Sequence, residues 1–523
     1  MPAHRVSLIL RFLPSLSDLA FIAPLAVQFG LAGGAYGLLA DGDTGWHLRT
    51  GEWILENGRV PRVDIFSFTK AGQPWFAWEW LWDVSMAALH RLAGLPAVVL
   101  ANAALISILF LLLYRITRGR STNDYIAIAG TLLAVLYTST YWLVRPHLVT
   151  LLFVLLFEYV LEKARRGRPK ALWVLPPLTL LWANLHAGFV AGIFLVILYS
   201  GGALLAIAMG VGFRSALARS GSYLITAVGC LLASVVNPYG IEMHLHIWRY
   251  LADPFYAKYI SEFQALSFQE PAARFFEVLV LFGACATVRS LRRGDLTHPL
   301  IFVVWLHLAL TSARHSPVFV ILVTPWICSE LSAVVGRAHE LRIHNRIKSA
   351  LESFSAGAAE FSQTDRVERF YLLSLAALAF VAVSLFAPTP ALKFRPDFDP
   401  NQFPVAAVNA LDIRPETGFV FSTDRWGGYL IYRFFPSFKA FIDGRSDFYG
   451  PAFVKDYLDI LNAQPGWEER LEHYQVSKIL IPPSTPLSAV LKTPGHWRKV
   501  YDDKTAILFV RTGIEPPPIP ARP

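Results

Sequence analysis

The sequence predicts an α-helical polytopic membrane protein of about eleven transmembrane helices, followed by a C-terminal extracytoplasmic α/β domain. Three observations predict it. Apolar residues make up 54% of the 523-residue chain and charged residues only 16%, against roughly 25% charged in soluble domains. Long uncharged runs recur, each near the ~20 residues that a helix needs to span a bilayer. Lys and Arg gather at alternate turns between those runs, which sets an orientation. The formal charge of +9 therefore reads as a membrane signal. Nucleic-acid binding would need basic residues clustered with aromatics on one soluble face, and here they are divided among short turns. Cys230, Cys285 and Cys328 all fall inside apolar runs. They read as small packing residues, not as a disulfide framework or a thiolate metal site.

The first uncharged run, Leu19 to Ala40, is long enough at ~1.5 Å per helical residue to cross ~30 Å of hydrocarbon. It follows Arg5 and Arg11 and ends in small residues, but it exceeds the roughly 7–15 apolar residues of a secretory signal and is read as a retained helix. Further runs cover Leu92 to Tyr114, Tyr125 to Val144, Ala171 to Phe213, Ser220 to Ile241, Leu296 to Ala313 and Phe370 to Leu392. Weaker spans lie at Pro146 to Leu161, Pro271 to Val288 and His315 to Val335. The Ala171 to Phe213 run is about twice the crossing length, so two helices should turn at Asn184 to Gly188.

Basic residues set the topology. Turns with Arg115/Arg118/Arg120, Lys163 to Lys170, Arg214/Arg219 and Arg289/Arg292/Arg293, together with the polar segment 337–369, are placed in the cytoplasm with the N-terminus. That segment is read as lying along the inner leaflet. Loops 41–91 and 237–274 and the short turns at Arg145, Asn184 to Gly188 and Ala313 to Ser316 then face out. An odd number of crossings puts the tail outside as well. In a bacterial cell this describes a multi-pass inner-membrane protein with a periplasmic C-terminal domain. Residues 1–390, including loop 41–91, form the transmembrane unit and 391–523 the α/β domain. In the tail Gly418–Thr423, Lys439–Asp443 and Ser477–Ile481 read as strands, Pro451–Ala463 and Trp467–Val476 as helices, and Trp497–Arg511 as a hairpin.

The chemistry gathers at Asp41-Gly42-Asp43-Thr44-Gly45-Trp46-His47, directly after the first run. A helix starting near Asp43 puts Asp43 and His47 one turn apart on one face, with Asp41 just outside and able to bend toward them. Loop 41–91 reads as folded. Helices over Thr44–Glu56 and Trp78–Arg91 flank an extended Val60–Thr69, and the second lies in the interface with Trp78, Trp80, Trp82, Met86 and Leu89 beside Glu79 and Asp83. Arg145 and His147, Asn184 and His186, Asn237 with Glu242 and His244, and Arg314 and His315 all fall at the outer boundary of other spans. Ionisable groups at such depths are costly unless they face water or one another, so a shared cavity is expected.

Carboxylates on one wall and Arg/His on the other suit a lipid-linked phosphate donor and a hydroxyl acceptor. Arg145, His147, His186, Arg314 and His315 are assigned to the donor phosphate, whose developing charge Arg can stabilise bidentately. His47, Glu79, Asn237 and His244 are assigned to the acceptor side of the pocket. A carboxylate can remove the acceptor proton as the sugar passes through an oxocarbenium-like state. No G-x-x-x-x-G-K-[ST] run appears, so activation should arrive with the donor.

The motifs carry a resemblance. D-x-D-x-x-W-H-L-x-x-G-E-W-I-L over Asp41 to Leu55, P-x-x-D-x-F-S-x-T over Pro61 to Thr69, W-x-x-x-E-W-L over Trp75 to Leu81, W-G-G-Y-L over Trp426 to Leu430 and F-I-D-G-R-x-D-x-Y over Phe441 to Tyr449 match a set of bacterial multi-spanning proteins. With two acids after the first span and an outer C-terminal domain, the chain resembles the GT-C superfamily of membrane glycosyltransferases. That group includes protein O-mannosyltransferases, aminoarabinose transferases and oligosaccharyltransferase catalytic subunits. The resemblance implies a first-loop acid as general base, with Asp43 preferred and Asp41 as its orienting or metal-binding partner. It also implies a polyprenyl-phosphate-linked sugar as donor and a lipid, glycan or protein as acceptor. No W-W-D-Y-G-like motif of the oligosaccharyltransferases is present, which favours a single-sugar donor.

Asp41, Asp43 and His47 together also suit Mg²⁺ or Mn²⁺, although Arg alone can serve a monophosphate leaving group. Membrane lipids are expected partners and nucleic acid is not. Two other readings compete: a polysaccharide polymerase, ligase or oligosaccharyltransferase-like enzyme, marked by its product, and a non-enzymatic lipid or glycan transporter or assembly scaffold. The last needs charges along a midplane path, where only Asn102, Glu158 and Glu277 stand.

Overall fold

The computed structural model describes residues 10–410, 418–493 and 495–512. Arg5, the tail stretch 411–417 and the chain from 513 onward lie outside the described residues. Helix α1 (Leu16–Gly30) starts at a reciprocal capping box, in which Ser15 Oγ accepts the Asp18 N–H and Asp18 Oδ2 accepts the Ser15 N–H at 2.9 Å. The expected unbroken helix over Leu19 to Ala40 is not formed. Gly33 and Gly34 turn the chain at φ 89° and 67°, and a separate short helix, Gly34–Leu38, leads to the acids. Gly34 also packs on the Lys393 backbone, where a Cβ would fall 2.0 Å from its carbonyl oxygen.

Next come α2 (Asp43–Asn57), ended by Gly58 in the left-handed region, and α3 (Trp80–Arg120). The expected loop helix and the expected span are joined in α3 across a kink at Ala93 and Gly94, ahead of Pro96. The bundle continues through α4 (Asp124–Thr138), α5 (His147–Arg165), α6 (Leu175–Leu185), α7 (Phe189–Leu205), α8 (Phe213–Ser234), α9 (Ile241–Ala252), α10 (Ala273–Arg292), α11 (Thr297–Thr311) and α12 (Ser316–Val335). The Ala171 to Phe213 run turns between α6 and α7 at His186, as its length requires. The polar segment forms α13 (Asn345–Asp365), and α14 (Leu372–Leu385) leads to the tail. Four helical stretches, Trp80–Arg120, Phe189–Met209, Phe213–Ser234 and Ala313–Val335, are long and apolar enough to cross a membrane, and Leu16–Gly30, Thr297–Thr311 and Leu372–Leu385 are shorter apolar helices. The three cysteines are free, with Cys230 and Cys328 buried.

The tail holds β1 (Phe419–Ser422), α15 (Asp424–Phe434), α16 (Ser446–Leu461), α17 (Trp467–His473), β2 (Val476–Ile481), β3 (Trp497–Asp502) and β4 (Ile507–Arg511). The sheet order is β1-β2-β4-β3, with β1 parallel to β2 and the other pairs antiparallel. The hairpin and the strands near 418 and 477 match their sequence patterns. Lys439–Asp443 is not a strand: Ala440 forms only an isolated bridge, to Ser67 of the first loop.

Alternation along the strands splits the sheet between two cores. Phe421, Ile479, Ile481 and Phe509 face one core, under α16 and α17. Val420, Leu480 and Leu508 face the other, which also contains Trp46, Phe66, Trp75 and Ala77 of the first loop. The first loop and the tail thus share a hydrophobic core.

Candidate active site

Asp41 and Asp43 are positioned by the start of α2. The Asp43 N–H donates to Asp41 Oδ1 at 3.0 Å, so Asp41, just ahead of the helix, accepts from its first residue and leaves its other oxygen for Arg145. Trp46, one turn on, donates its indole N–H to Asp43 Oδ1 at 3.1 Å. Arg145 supplies the charge. The Val144 N–H donates to Leu38 O at 2.9 Å and the Thr44 hydroxyl to Val144 O at 3.1 Å, which pins the segment before α5 beside the acids. Arg145 then places Nη1 2.9 Å from Asp41 Oδ2 and Nη2 3.1 Å from Asp43 Oδ2. Glu262 stands on its other side at 4.0 Å. Burial and the like charge of Asp41 push Asp43 up to about 8, against the pull of Arg145 and the Trp46 indole. Glu262 goes the other way: it loses water, but Arg145 and Arg314 hold its carboxyl below the ordinary value.

A second cluster lies on the neighbouring wall. Glu79 Oε2 is 3.9 Å from His47 Nε2, and its Oε1 is 3.6 Å from His186 Nε2. The Gly188 N–H donates to His186 Nδ1 at 3.2 Å, so the proton of neutral His186 sits on Nε2 and faces Glu79. His186 Nδ1 also lies 2.6 Å from the Thr150 hydroxyl. His47 Nδ1 is 2.6 Å from Asp83 Oδ1. Burial pushes Glu79 up to about 8 and holds His47 well below its ordinary value.

Three expectations are corrected here. His47 does not complete a ligand set with Asp41 and Asp43, because Asp83 of α3 takes its imidazole. Among the described residues no group of three His, Cys, Asp or Glu side chains converges as a metal site. All four oxygens of the aspartate pair face protein donors as arranged. Asn237 and His244 are not pocket groups. Asn237 donates to Ser234 O and Gly240 O and accepts from the Tyr239 N–H, while His244 Nε2 is 2.8 Å from Ser234 Oγ. Asn237 is spent on the turn before α9, and His244 is tied to its start through Nε2 alone. The helix expected to lie in the interface instead turns inward: Trp82 is buried, and Glu79 and Asp83 point into the protein.

The other predicted phosphate groups fall at varied places. His147 Nε2 is 2.7 Å from Tyr141 O. Arg314 stacks over Phe263 at 4.4 Å, and it has no ion-pair partner among the described residues. His315 lies edge-on to Trp305 at 6.3 Å.

The tail closes the site at the charged turns around Arg425 and Arg445, a cluster that reads from the sequence as either turn salt bridges or acceptor and lid contacts. A Cβ at Gly42 would fall 1.9 Å from Arg425 O, one at Gly45 2.2 Å from Gly428 O, and one at Gly427 1.9 Å from Ile442 O. Thus α2, α15 and the 442–445 turn meet backbone to backbone, and only glycine fits. Gly444 rests on Asp43 itself. Next to it, Arg445 is fully enclosed: it pairs with Asp64 at 2.8 Å and Asp443 at 2.6 Å and lies over Trp75 at 4.4 Å and Phe448 at 4.9 Å. The Tyr449 hydroxyl donates to Asp443 Oδ2 at 2.9 Å. His246 of α9 straps the turn at Asp447, 2.9 Å away.

No protein-family model matches the sequence, and no curated protein matches it. Solved structures do. The Archaeoglobus fulgidus oligosaccharyltransferase in its apo form is similar at TM-score 0.54 and 11% identity, covering 96% of this chain and 74% of that one. The same archaeal enzyme, AglB, in complex with an inhibitory peptide and a dolichol-phosphate matches at TM-score 0.54 and 12% identity over 96% and 74% of the two chains. ArnT from Cupriavidus metallidurans, bound to undecaprenyl phosphate, covers 96% of this chain and 99% of that one at 14% identity, with a TM-score of 0.45 that is too low to bear on the fold. The likeness to the archaeal enzyme shows a shared fold.

Proposed function

We propose that the chain is an inverting membrane glycosyltransferase that moves a sugar from a polyprenyl-phosphate donor to an acceptor hydroxyl at the outer face of the inner membrane. The observation that carries this reading is the clamp of Arg145 on Asp41 and Asp43, with Glu262, Arg314, Glu79 and His186 around it. In this reading the acceptor oxygen attacks the anomeric carbon and its proton passes to Asp43. The bond from that carbon to the phosphate oxygen breaks, and polyprenyl phosphate leaves with the electron pair. Arg314, which has no ion pair among the described residues, binds the phosphate, and Arg145 turns toward it as the charge develops. A carboxyl at about 8 is well matched to proton removal near neutral pH. Glu79, between two imidazoles, positions the acceptor. No step is assigned to a metal.

The dolichol-phosphate held by the archaeal protein of the same fold supports a lipid-phosphate donor here. The reading carries with it about eleven crossings, a cytoplasmic N-terminus, a transmembrane unit over 1–390 and a periplasmic domain over 391–523. The test is thermal unfolding of the purified chain with a panel of polyprenyl-phosphate sugars. A member of the panel should raise Tm in the wild type and much less in Arg314→Ala; a panel without effect contradicts the proposal.

A further inference from the structure

The geometry points to a second lipid site: the end of the bundle opposite the acids binds the phosphate of an anionic phospholipid. Helix α5 starts beside Arg145, and its 19 residues carry the chain roughly 28 Å to Arg165. There the ends of α5, α7 and α8 and the turn into α11 enclose a cavity of about 210 Å³. Arg165, Arg219 and Arg293 line it, against one carboxylate, Asp295.

Two of these arginines are already engaged. Arg165 lies 2.8 Å from Glu162 and 3.5 Å from Asp295, and Arg293 pairs with Glu330. Arg219 is exposed and has no ion-pair or hydrogen-bond partner among the described residues. A second polar residue stands in the wall of the same space. Tyr199 lines the cavity and is 1% exposed, and its buried hydroxyl has no hydrogen-bond partner. A buried phenol without a partner is costly unless something accepts from it, and a phosphate oxygen does so. Thr297, the first residue of α11, adds the positive end of that helix to the wall.

The rim decides which phosphate. Leu205, Met209, Phe213 and Leu217, which lie beside the lining residues Ala206, Val211 and Arg219 in the chain, are large, apolar and exposed. An inorganic anion has no use for them, whereas acyl chains cover them while the headgroup phosphate sits among the arginines. Such a site ties the ends of four helices to a charged leaflet, where each basic contact adds to lipid affinity.

The test uses the full chain in nanodiscs of phosphatidylcholine with and without phosphatidylglycerol. Phosphatidylglycerol should raise the Tm of the wild type, and the rise should be lost in Arg219→Glu and reduced in Arg219→Gln and Tyr199→Phe. Titration with short-chain phosphatidylglycerol should show affinity about tenfold weaker in Arg219→Glu. Arg214→Glu makes the same charge change on the same helix at an exposed residue outside the cavity, and it should keep the wild-type rise. An undiminished rise in Arg219→Glu, an equal loss in Arg214→Glu, or the same rise with inorganic phosphate alone would each overturn the inference.

Discussion

Gly444 stands against the carboxylate of Asp43, so close that a Cβ there would fall 1.8 Å from Oδ1. The tail therefore forms a wall of the site. Asp43 cannot give way cheaply, because the Trp46 indole and Arg145 hold its two oxygens. Gly444→Ala should displace the carboxylate by about 1 Å and lower transfer on the order of 10²-fold. Steady-state rates measured beside thermal unfolding separate this from misfolding, and a wild-type rate in Gly444→Ala would show that Asp43 is not held where the chemistry needs it.

Arg445 tests the seam between tail and first loop. It is 2% exposed, and removing it leaves Asp64 and Asp443 buried without a cation, a loss of about 3–5 kcal/mol. Lysine cannot reproduce a planar fork that pairs with two carboxylates and stacks on Trp75. Both Arg445→Met and Arg445→Lys should lower Tm and expose the tail to protease. Unchanged proteolysis would mean that the aromatic contacts alone hold the seam.

The buried carboxyls give a pH signature. Asp43 and Glu79 rise from ordinary values of 3.8 and 4.5 to about 8, so between those limits the folded chain holds protons that the unfolded chain has released. Stability then falls as pH climbs from about 4 toward 8. Asp43→Asn with Glu79→Gln should flatten the slope of Tm against pH in that window, while the transfer rate of the wild type should rise toward pH 8 as the base ionises. A Tm in the wild type that increases over this range would contradict burial as the dominant cause.

Local spacing in the sequence was enough to find the acids, the helix after them and the turn at His186. These depend on residues a few places apart, where helical period and capping speak directly. The interlock of Gly42 and Gly45 with Arg425 and Gly428, and of Asp64 with Arg445, joins segments nearly four hundred residues apart in the chain. No periodicity records such pairings, although each falls in a motif that stood out for its glycines and paired charges. Glu262 had no signal, being one acid in a long loop. His47 misled because sharing a helix face with Asp43 did not decide which carboxylate its ring would meet. The unbroken first span failed at Gly33 and Gly34, two glycines inside an apolar run whose length alone suggested continuity.

In the proposed reaction the Asp43 carboxylate removes the acceptor proton. Sugar transfer from a polyprenyl-phosphate donor, compared between wild type and Asp43→Asn in the same lipid, tests it most directly. Asp43→Asn should still bind donor and keep a Tm at least equal to wild type at pH 8, with transfer lost. Full transfer by that variant would contradict it.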